Sequence, residues 1–304
     1  MKKIVLILPY FGKWPLWFDA HLLSIAQNPT IHWLVVTDCE IPKDYPKNII
    51  FKPTTLQALN THVNQVVNAN VPLSPRKFCD LKPAYGAIFY EDIKEYDFWG
   101  FCDMDIIWGN IRHFITNDFL SNYDIISSRK EAISGHFNLI KNTTALNNLY
   151  KQIPNYQYLF EQPQFMWFDE EQLTNYLKNQ IADKQLPYQV KWDAILCNQE
   201  RGRDSHQEYY LDRWLWQDGK VLNTKTHQEV MYLHFINWKR TMKHSEVTHS
   251  DQPDSFYISY SKMHYHKHNV LQKFWNGFTN LFDGYYVRLK KNKMKKLIKR
   301  NFCL

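Results

Sequence analysis

A chain of 304 residues, 44% hydrophobic and 16% aromatic, has ample material for a packed core, which excludes wholesale disorder and fits one large domain or a domain with an attached lobe. Its net charge of +7 is uneven: residues 288–300 (RLKKNKMKKLIKR) carry eight basic side chains and no acid, so the body is close to neutral and no nucleic acid is expected as a partner. With only 9 glycines, and neither GxGxxG nor GxxxxGKS/T, a dinucleotide fold or a P-loop has no support.

The five cysteines (Cys39, Cys79, Cys102, Cys197, Cys303) are odd in number and never spaced as CxxC. That predicts a reducing compartment, with neither a disulfide framework nor a structural zinc site of cysteines. The opening MKKIVLILPYF imitates a secretory leader, but its apolar run stops at Pro9 and aromatics follow where small residues would be needed. No apolar run approaches the roughly 18 residues that span a bilayer. A cytoplasmic protein is predicted.

In chain order, KIVLIL (3–8) predicts a continuously buried strand. Trp14, Trp17, Phe18, Leu22 and Ile25 recur at helical spacing until Asn28-Pro29 stops the pattern. IHWLVVTD (31–38) and NIIFKP (48–53) predict two further strands, and Leu56, Leu59, Val63 and Val66 a second helix. FCDLKPAYGAIFYEDI (78–93) predicts another helix, leading into the apolar strand that begins at Phe98. YDIISS (123–128) and GHFNLIKN (135–142) are strand-like. The alternation up to about residue 150 predicts the α/β class, a mostly parallel sheet flanked by helices. Beyond it, MWFDEEQLTNYLKN (166–179) predicts a helix that opens with acids, and EYYLDRWLWQDGKVLN (208–223) a hairpin turning at Asp218-Gly219. MYLHFINWKRTMKH (231–244) predicts a strand running into basic residues. The expected division is a catalytic domain over 1–245 and a C-terminal segment over 246–304.

The stretch FWGFCDMDIIWG (98–109) ends an apolar strand on two carboxylates, Asp103 and Asp105. A buried unpaired carboxylate costs several kcal/mol, so these acids require a cation, a partner or solvent. In α/β sheets ligands gather beyond the carboxyl ends of parallel strands, and alternation puts residues i and i+2 on one side. Both acids can therefore face one divalent cation, Mg²⁺ or Mn²⁺, whose remaining positions would hold a diphosphate. The structural alternative is that one acid caps the next helix and the other pairs with Arg112 or Lys82.

The alternating N-terminal half, the strand ending CDMD and the late HFINWK (234–239) together resemble a GT-A fold glycosyltransferase, of the kind that builds bacterial capsule, O-antigen and lipooligosaccharide chains. The resemblance covers roughly residues 3–240. It implies transfer of a hexose such as galactose from a UDP-sugar to a growing surface polysaccharide or lipid-linked glycan, with Mn²⁺ or Mg²⁺ as cofactor. Carried over residue by residue, it implies Asp105 as the direct metal ligand, Asp103 at the donor ribose or around the metal, bonded to its ligands, and His234 as a further ligand. Lys239 is expected at the diphosphate as the leaving group gains charge. Tyr10 or Phe11 is expected to stack on the base, Thr37 and Asp38 to bond its edge, and Asp80 and Lys82 to contact ribose and phosphate. The C-terminal motif departs from the His-x-x-Gly-x-x-Lys-Pro-Trp pattern of one retaining family, which leaves the coordination open. An inverting enzyme needs a carboxylate base, for which Asp169 and Glu170 in WFDEEQ are the candidates, although acids there also complement a helix dipole. A retaining mechanism makes no such demand. His136, after a strand, suits sugar recognition or a structural role equally.

Two other classes compete: a nucleotidyltransferase acting on a sugar phosphate, disfavoured by the glycine-poor Gly12-Lys13 region, and a non-catalytic membrane-associated scaffold. HYHKH (264–268) puts His264, His266 and His268 on one side of an extended segment, which could hold a metal, but with no Cys or acid nearby in sequence it is predicted to be an exposed polar stretch. In YYVRLKKNKMKKLIKR (285–300), Val287, Met294 and Ile298 share one helical face among lysines, behind the aromatics Phe274, Trp275 and Phe278. Such a basic amphipathic tail is expected on an anionic membrane, at the inner face of the bacterial cytoplasmic membrane.

Overall fold

The computed structural model describes residues 1–185, 187–192, 211–235, 239 and 241–283, with the single positions 287, 290, 291 and 294. Continuously apolar runs form central strands because helices cover both faces of a parallel sheet. β1 (Ile4–Tyr10), β2 (Ile31–Thr37), β3 (Ile49–Pro53) and β4 (Phe98–Cys102) run parallel. With β6 (Ile125–Ser127), β7 (Phe137–Lys141) and β8 (Val190–Lys191) they complete a seven-stranded sheet of order β3-β2-β1-β4-β7-β6-β8, in which β7 alone opposes its neighbours. The α/β class read from the sequence, a mostly parallel sheet flanked by helices, is the class observed.

Alternation along β1 sorts the core. Val5 and Ile7 pack with Leu59, Val63 and Val67 of α2 (Leu56–Val67), whereas Ile4, Leu6 and Leu8 pack with Phe18, Leu22 and Ile25 of α1 (Phe18–Ala26). Gly100 lets β4 and β7 approach closely: a Cβ there would lie 2.2 Å from the Asn138 carbonyl oxygen.

The single helix expected over 78–93 is instead a string of short turns, 3₁₀ at Lys77–Cys79 and Lys82–Ala84 and α-helical at Tyr85–Ile88 and Tyr90–Ile93. Pro83 removes a donor from any continuous ladder, and Lys77, Asp80 and Lys82 all turn inward to polar partners.

β9 (Trp214–Gln217) and β10 (Lys220–Asn223) form the predicted hairpin, with Asp218 and Gly219 both at positive φ. They belong to a six-stranded sheet that also contains β11 (Glu229–Val230), β13 (His244–Ser245), β14 (Ser255–Ile258) and β15 (Lys262–His264). Because β14 pairs with β9, the expected boundary at residue 245 falls inside one sheet. Its core shares Ala20 and Leu23 of α1 with Trp214, Trp216, Phe256 and Ile258, so α1 is packed from both sides. Between the sheets, β5 (Ile106–Trp108) and β12 (Tyr232–His234) pair as an antiparallel ribbon.

The C-terminal helix Val270–Asp283 is turned inside out relative to an ordinary surface helix. Val270, Leu271, Phe274, Trp275, Phe278, Leu281 and Phe282 are all exposed and form one apolar stripe, with Phe274 75% accessible. Polar contacts tie it to the body: Tyr260 donates to the Asn276 carbonyl, and the Lys273 ammonium lies 3.4 Å from Asp212. Among the described residues no helix is long and apolar enough to cross a membrane. Most of the 285–300 tail, Cys197 and Cys303 lie outside the described residues.

Candidate functional site

The centre of the site is a matter of register. β4 ends at Cys102, and the Asp103 amide continues the ladder by donating to the His136 carbonyl. β5 pairs with β12 so that His234 lies opposite Ile106, while the Phe235 amide donates to the Asp105 carbonyl. The acids at the strand end and the late histidine, 129 or more residues apart in sequence, thus share one pocket. His234 Nε2 is 3.6 Å from an Asp105 oxygen and 4.0 Å from an Asp103 oxygen.

Each acid also has its own lysine. Lys82 Nζ is 2.7 Å from Asp103 and donates to the Gly135 carbonyl, and Lys239 Nζ is 2.8 Å from Asp105. Arg112 is elsewhere, on Thr30 and the Lys2 carbonyl. Burial pushes the Asp105 carboxyl up, but His234 and Lys239 beside it outweigh burial and hold it well below the usual carboxylate range. Burial likewise opposes the charge on Lys82, and Asp103 restores it, keeping the ammonium protonated.

Can these residues hold a divalent cation? Asp103, Asp105 and His234 each offer a donor atom within 4.8 Å of the others. Two carboxylates and one imidazole are a donor set that suits Mn²⁺ and, less well, Mg²⁺. Asp105 is buried while the Asp103 side chain is 31% exposed, so the pocket is open on one side, as a site that shares its cation with a ligand must be. The residues fit.

Asp169 lies beside this pocket. It is buried, and a Cβ placed on Gly135 would come within 3.1 Å of its carboxylate and 2.8 Å of that of Glu170, so only glycine lets both acids this close. Burial raises the Asp169 pKa to about 7; Lys82 pulls it down, and the charges of Glu170 and Asp103 add to the rise. Glu170 instead faces Arg129 at 3.4 Å. The helix expected over 166–179 begins as a π-helical turn, Phe168–Leu173, before the regular Thr174–Ala182, and Trp167 precedes it at φ 52°.

Asp80 explains that distortion and corrects an expectation. It is fully buried, accepts the amides of Met166 and Phe168, and pairs with the equally buried Lys77 at 2.8 Å. Its oxygens are committed within the protein, where they position the segment that carries Asp169 instead of reaching outward. Thr37 is corrected on the same ground: fully buried, its hydroxyl oxygen accepts the Cys39 amide. Asp38 accepts the Gly12 amide at 2.7 Å and braces the turn after β1. Tyr10 stacks on Trp14, and burial, with Cys39 and Asp105, raises its pKa, so it lies within the field of Asp105. Phe11 packs edge-on to Phe78.

Sequence reasoning left His136 open; its ring stacks on His234 at 4.1 Å and bonds the Tyr232 hydroxyl. Gly135 and Arg129 were not foreseen, and no local pattern marks them. HYHKH is a further correction: His264 and His268 are buried and meet an acid, Asp212, from 52 residues or more upstream, and of the three histidines only His266 is exposed.

Fold and site together define an α/β protein with a candidate cation-binding pocket at the carboxyl end of a central parallel strand. The chain belongs to the family described as "Family of unknown function (DUF6625)", which matches residues 6–267. No curated protein matches it. Among solved structures it is similar to the apo-form glycosyltransferase GlyE of Streptococcus pneumoniae TIGR4, at 11% identity and a TM-score of 0.36 over 64% of this chain and 46% of that one. It is also similar to the galactosyltransferase LgtC in complex with donor and acceptor sugar analogs, at 10% identity and a TM-score of 0.37 over 76% and 87%. The chain thus spans less than half the length of GlyE.

Proposed function

We propose that this protein is a metal-dependent glycosyltransferase that moves a hexose from a UDP-sugar to a growing bacterial surface polysaccharide or lipid-linked glycan. The observation that carries the reading is the convergence of Asp103, Asp105 and His234 at the end of β4, flanked by Lys82 and Lys239. When bound there, Mn²⁺ or Mg²⁺ supplies Lewis-acid stabilisation of the diphosphate leaving group. Lys239, more than a third exposed, is the lysine with reach toward an incoming diphosphate, and its charge complements the leaving group as that gains charge. Tyr10 and Phe11 are proposed at the base, and Asp38 holds the turn that carries them.

In an inverting transfer Asp169 takes the acceptor hydroxyl's proton as the donor's glycosidic bond breaks; its pKa of about 7 suits a base working near neutrality. Glu170, held by Arg129, shapes the Asp169 carboxylate's field. The acceptor reading places the enzyme at the inner face of the cytoplasmic membrane, supported by the outward apolar stripe of Val270–Asp283 and the basic run that follows it in sequence.

Calorimetric titration of UDP, with and without Mn²⁺, on the wild type and on Asp105→Asn tests this. Metal-dependent binding that the substitution abolishes supports the reading. Failure of UDP, GDP and CDP alike overturns it in favour of a scaffold, and pyrophosphate release from a sugar phosphate and a nucleoside triphosphate overturns it in favour of a nucleotidyltransferase.

A further inference from the structure

Away from the pocket just described, three buried titratable side chains meet where the six-stranded sheet joins the C-terminal helix. Asp212 stands two residues ahead of β9, His264 closes β15, and His268 stands two residues ahead of Val270–Asp283. None is more than 5% exposed.

Hydrogen bonds fix the state of both rings. His264 Nδ1 lies 2.8 Å from the His266 carbonyl, which only accepts, so Nδ1 carries the proton and Nε2 presents a lone pair. His268 Nδ1 lies 2.5 Å from an Asp212 oxygen and donates to it, reinforced by the His268 amide on the same carboxylate. His264 is thus oriented as metal-binding histidines are, one nitrogen anchored on a carbonyl and the other presenting its lone pair. His268 faces Asp212 with Nδ1, and a cation entering between them would take that nitrogen's lone pair and release its proton. The two rings lie 4.3 Å apart, and one donor atom from each of Asp212, His264 and His268 falls within 4.8 Å of the others. Ser259 Oγ, 2.9 Å from His264 Nε2, adds an oxygen at the same place.

We propose that Asp212, His264 and His268 form a closed structural site for a borderline transition-metal cation of the Zn²⁺ type, which fastens the C-terminal helix to the six-stranded sheet. Two imidazoles with one carboxylate favour Zn²⁺ over Mg²⁺ or Ca²⁺, which take oxygen-rich sets. The burial of all three ligands makes the site structural, in contrast to the open Asp103–Asp105–His234 pocket. Lys273, on the first turns of the helix and near the other Asp212 oxygen, neutralises that oxygen from the solvent side.

The test uses the full chain, stripped with a chelator and titrated with Zn²⁺ against a competing chelator. One tight equivalent is expected that survives His234→Gln and weakens at least about tenfold in His268→Gln and in Asp212→Asn. Zn²⁺ should raise the Tm of the wild type and of His234→Gln but not of His268→Gln. Equal affinity in wild type and His268→Gln overturns the proposal. Should the Asp212 and His268 variants fail to fold, Co²⁺ decides on the unaltered sequence: intense four-coordinate ligand-field bands support the site, and only weak six-coordinate bands overturn it.

Discussion

Asp169→Asn separates the fold's interest from the site's. Asp169 has a pKa near 7 in the folded protein, against an ordinary value of 3.8. The native state therefore holds a proton that the unfolded chain has released, and stability falls as pH rises from about 4 through about 7. A difference of about three pKa units at 1.36 kcal/mol each amounts to about 4 kcal/mol against folding above pH 7, and to nothing below pH 4. Asparagine keeps the shape and the oxygen that accepts the Glu170 amide, but carries no proton to lose. Urea unfolding from pH 4 to pH 8 should show the two proteins alike at the acid end. The variant should become the more stable by up to about 4 kcal/mol at pH 8. Sugar transfer by the wild type should rise through pH 7, and the variant should have lost it. A stability gap that does not widen between pH 4 and pH 8 would refute the argument.

Asp80→Ala should cost about 3–5 kcal/mol in urea unfolding, because it strands the buried Lys77 ammonium and two amides; a ribose contact would instead have weakened UDP binding with stability unchanged. Gly100→Ala should cost about 3 kcal/mol or prevent folding, since the new methyl meets the Asn138 backbone at 2.2 Å, and the measurement is soluble yield with the unfolding midpoint. Trp275→Glu with Phe278→Glu alters only exposed side chains, so stability should stay within about 0.5 kcal/mol. Flotation with vesicles containing anionic lipid should nevertheless fall sharply, and undiminished flotation would remove the helix from the membrane reading.

The sheet was legible in the sequence because its central strands are continuous apolar runs punctuated by Pro, Asn and Gly, so β1 to β4 are found within a residue or two of their predicted ends, and the hairpin turns at the predicted Asp218-Gly219, although its first strand begins only at Trp214. Asp103 and Asp105 stood out for a physical reason, since two acids ending such a strand demand compensation. What could not be read locally is who compensates them. Lys82 is 21 residues away, Lys239 and His234 more than 120, and only the β5–β12 register joins them. The same limit misled the reading of HYHKH, whose acid arrives from Asp212, and of Asp80, whose partners Met166 and Phe168 lie 86 and 88 residues on. The irregular 78–93 segment failed differently: its helical periodicity is genuine, but inward-facing Lys77, Asp80 and Lys82 fix it by polar contacts that no hydrophobic pattern encodes.

Charge balance links that compensation to the proposed chemistry. In the structure Asp103 and Asp105 are matched by Lys82 and Lys239, a neutral set. An acid pair left alone this deep would be costly, and a pair matched only by a divalent cation would leave the apo protein unstable. The two lysines compensate the acids without a cation. A divalent cation together with the two or so negative charges of a nucleoside diphosphate can then enter with little net change in charge. The asymmetry of exposure gives the lysines different parts: Lys82, buried and also bonded to the Gly135 carbonyl, is fixed, whereas Lys239, more than a third exposed, is free to exchange Asp105 for an incoming phosphate. On the proposed reading, that exchange is what couples donor binding to Lys239, and it makes Lys239→Met a donor-binding defect where Lys82→Met is a folding defect.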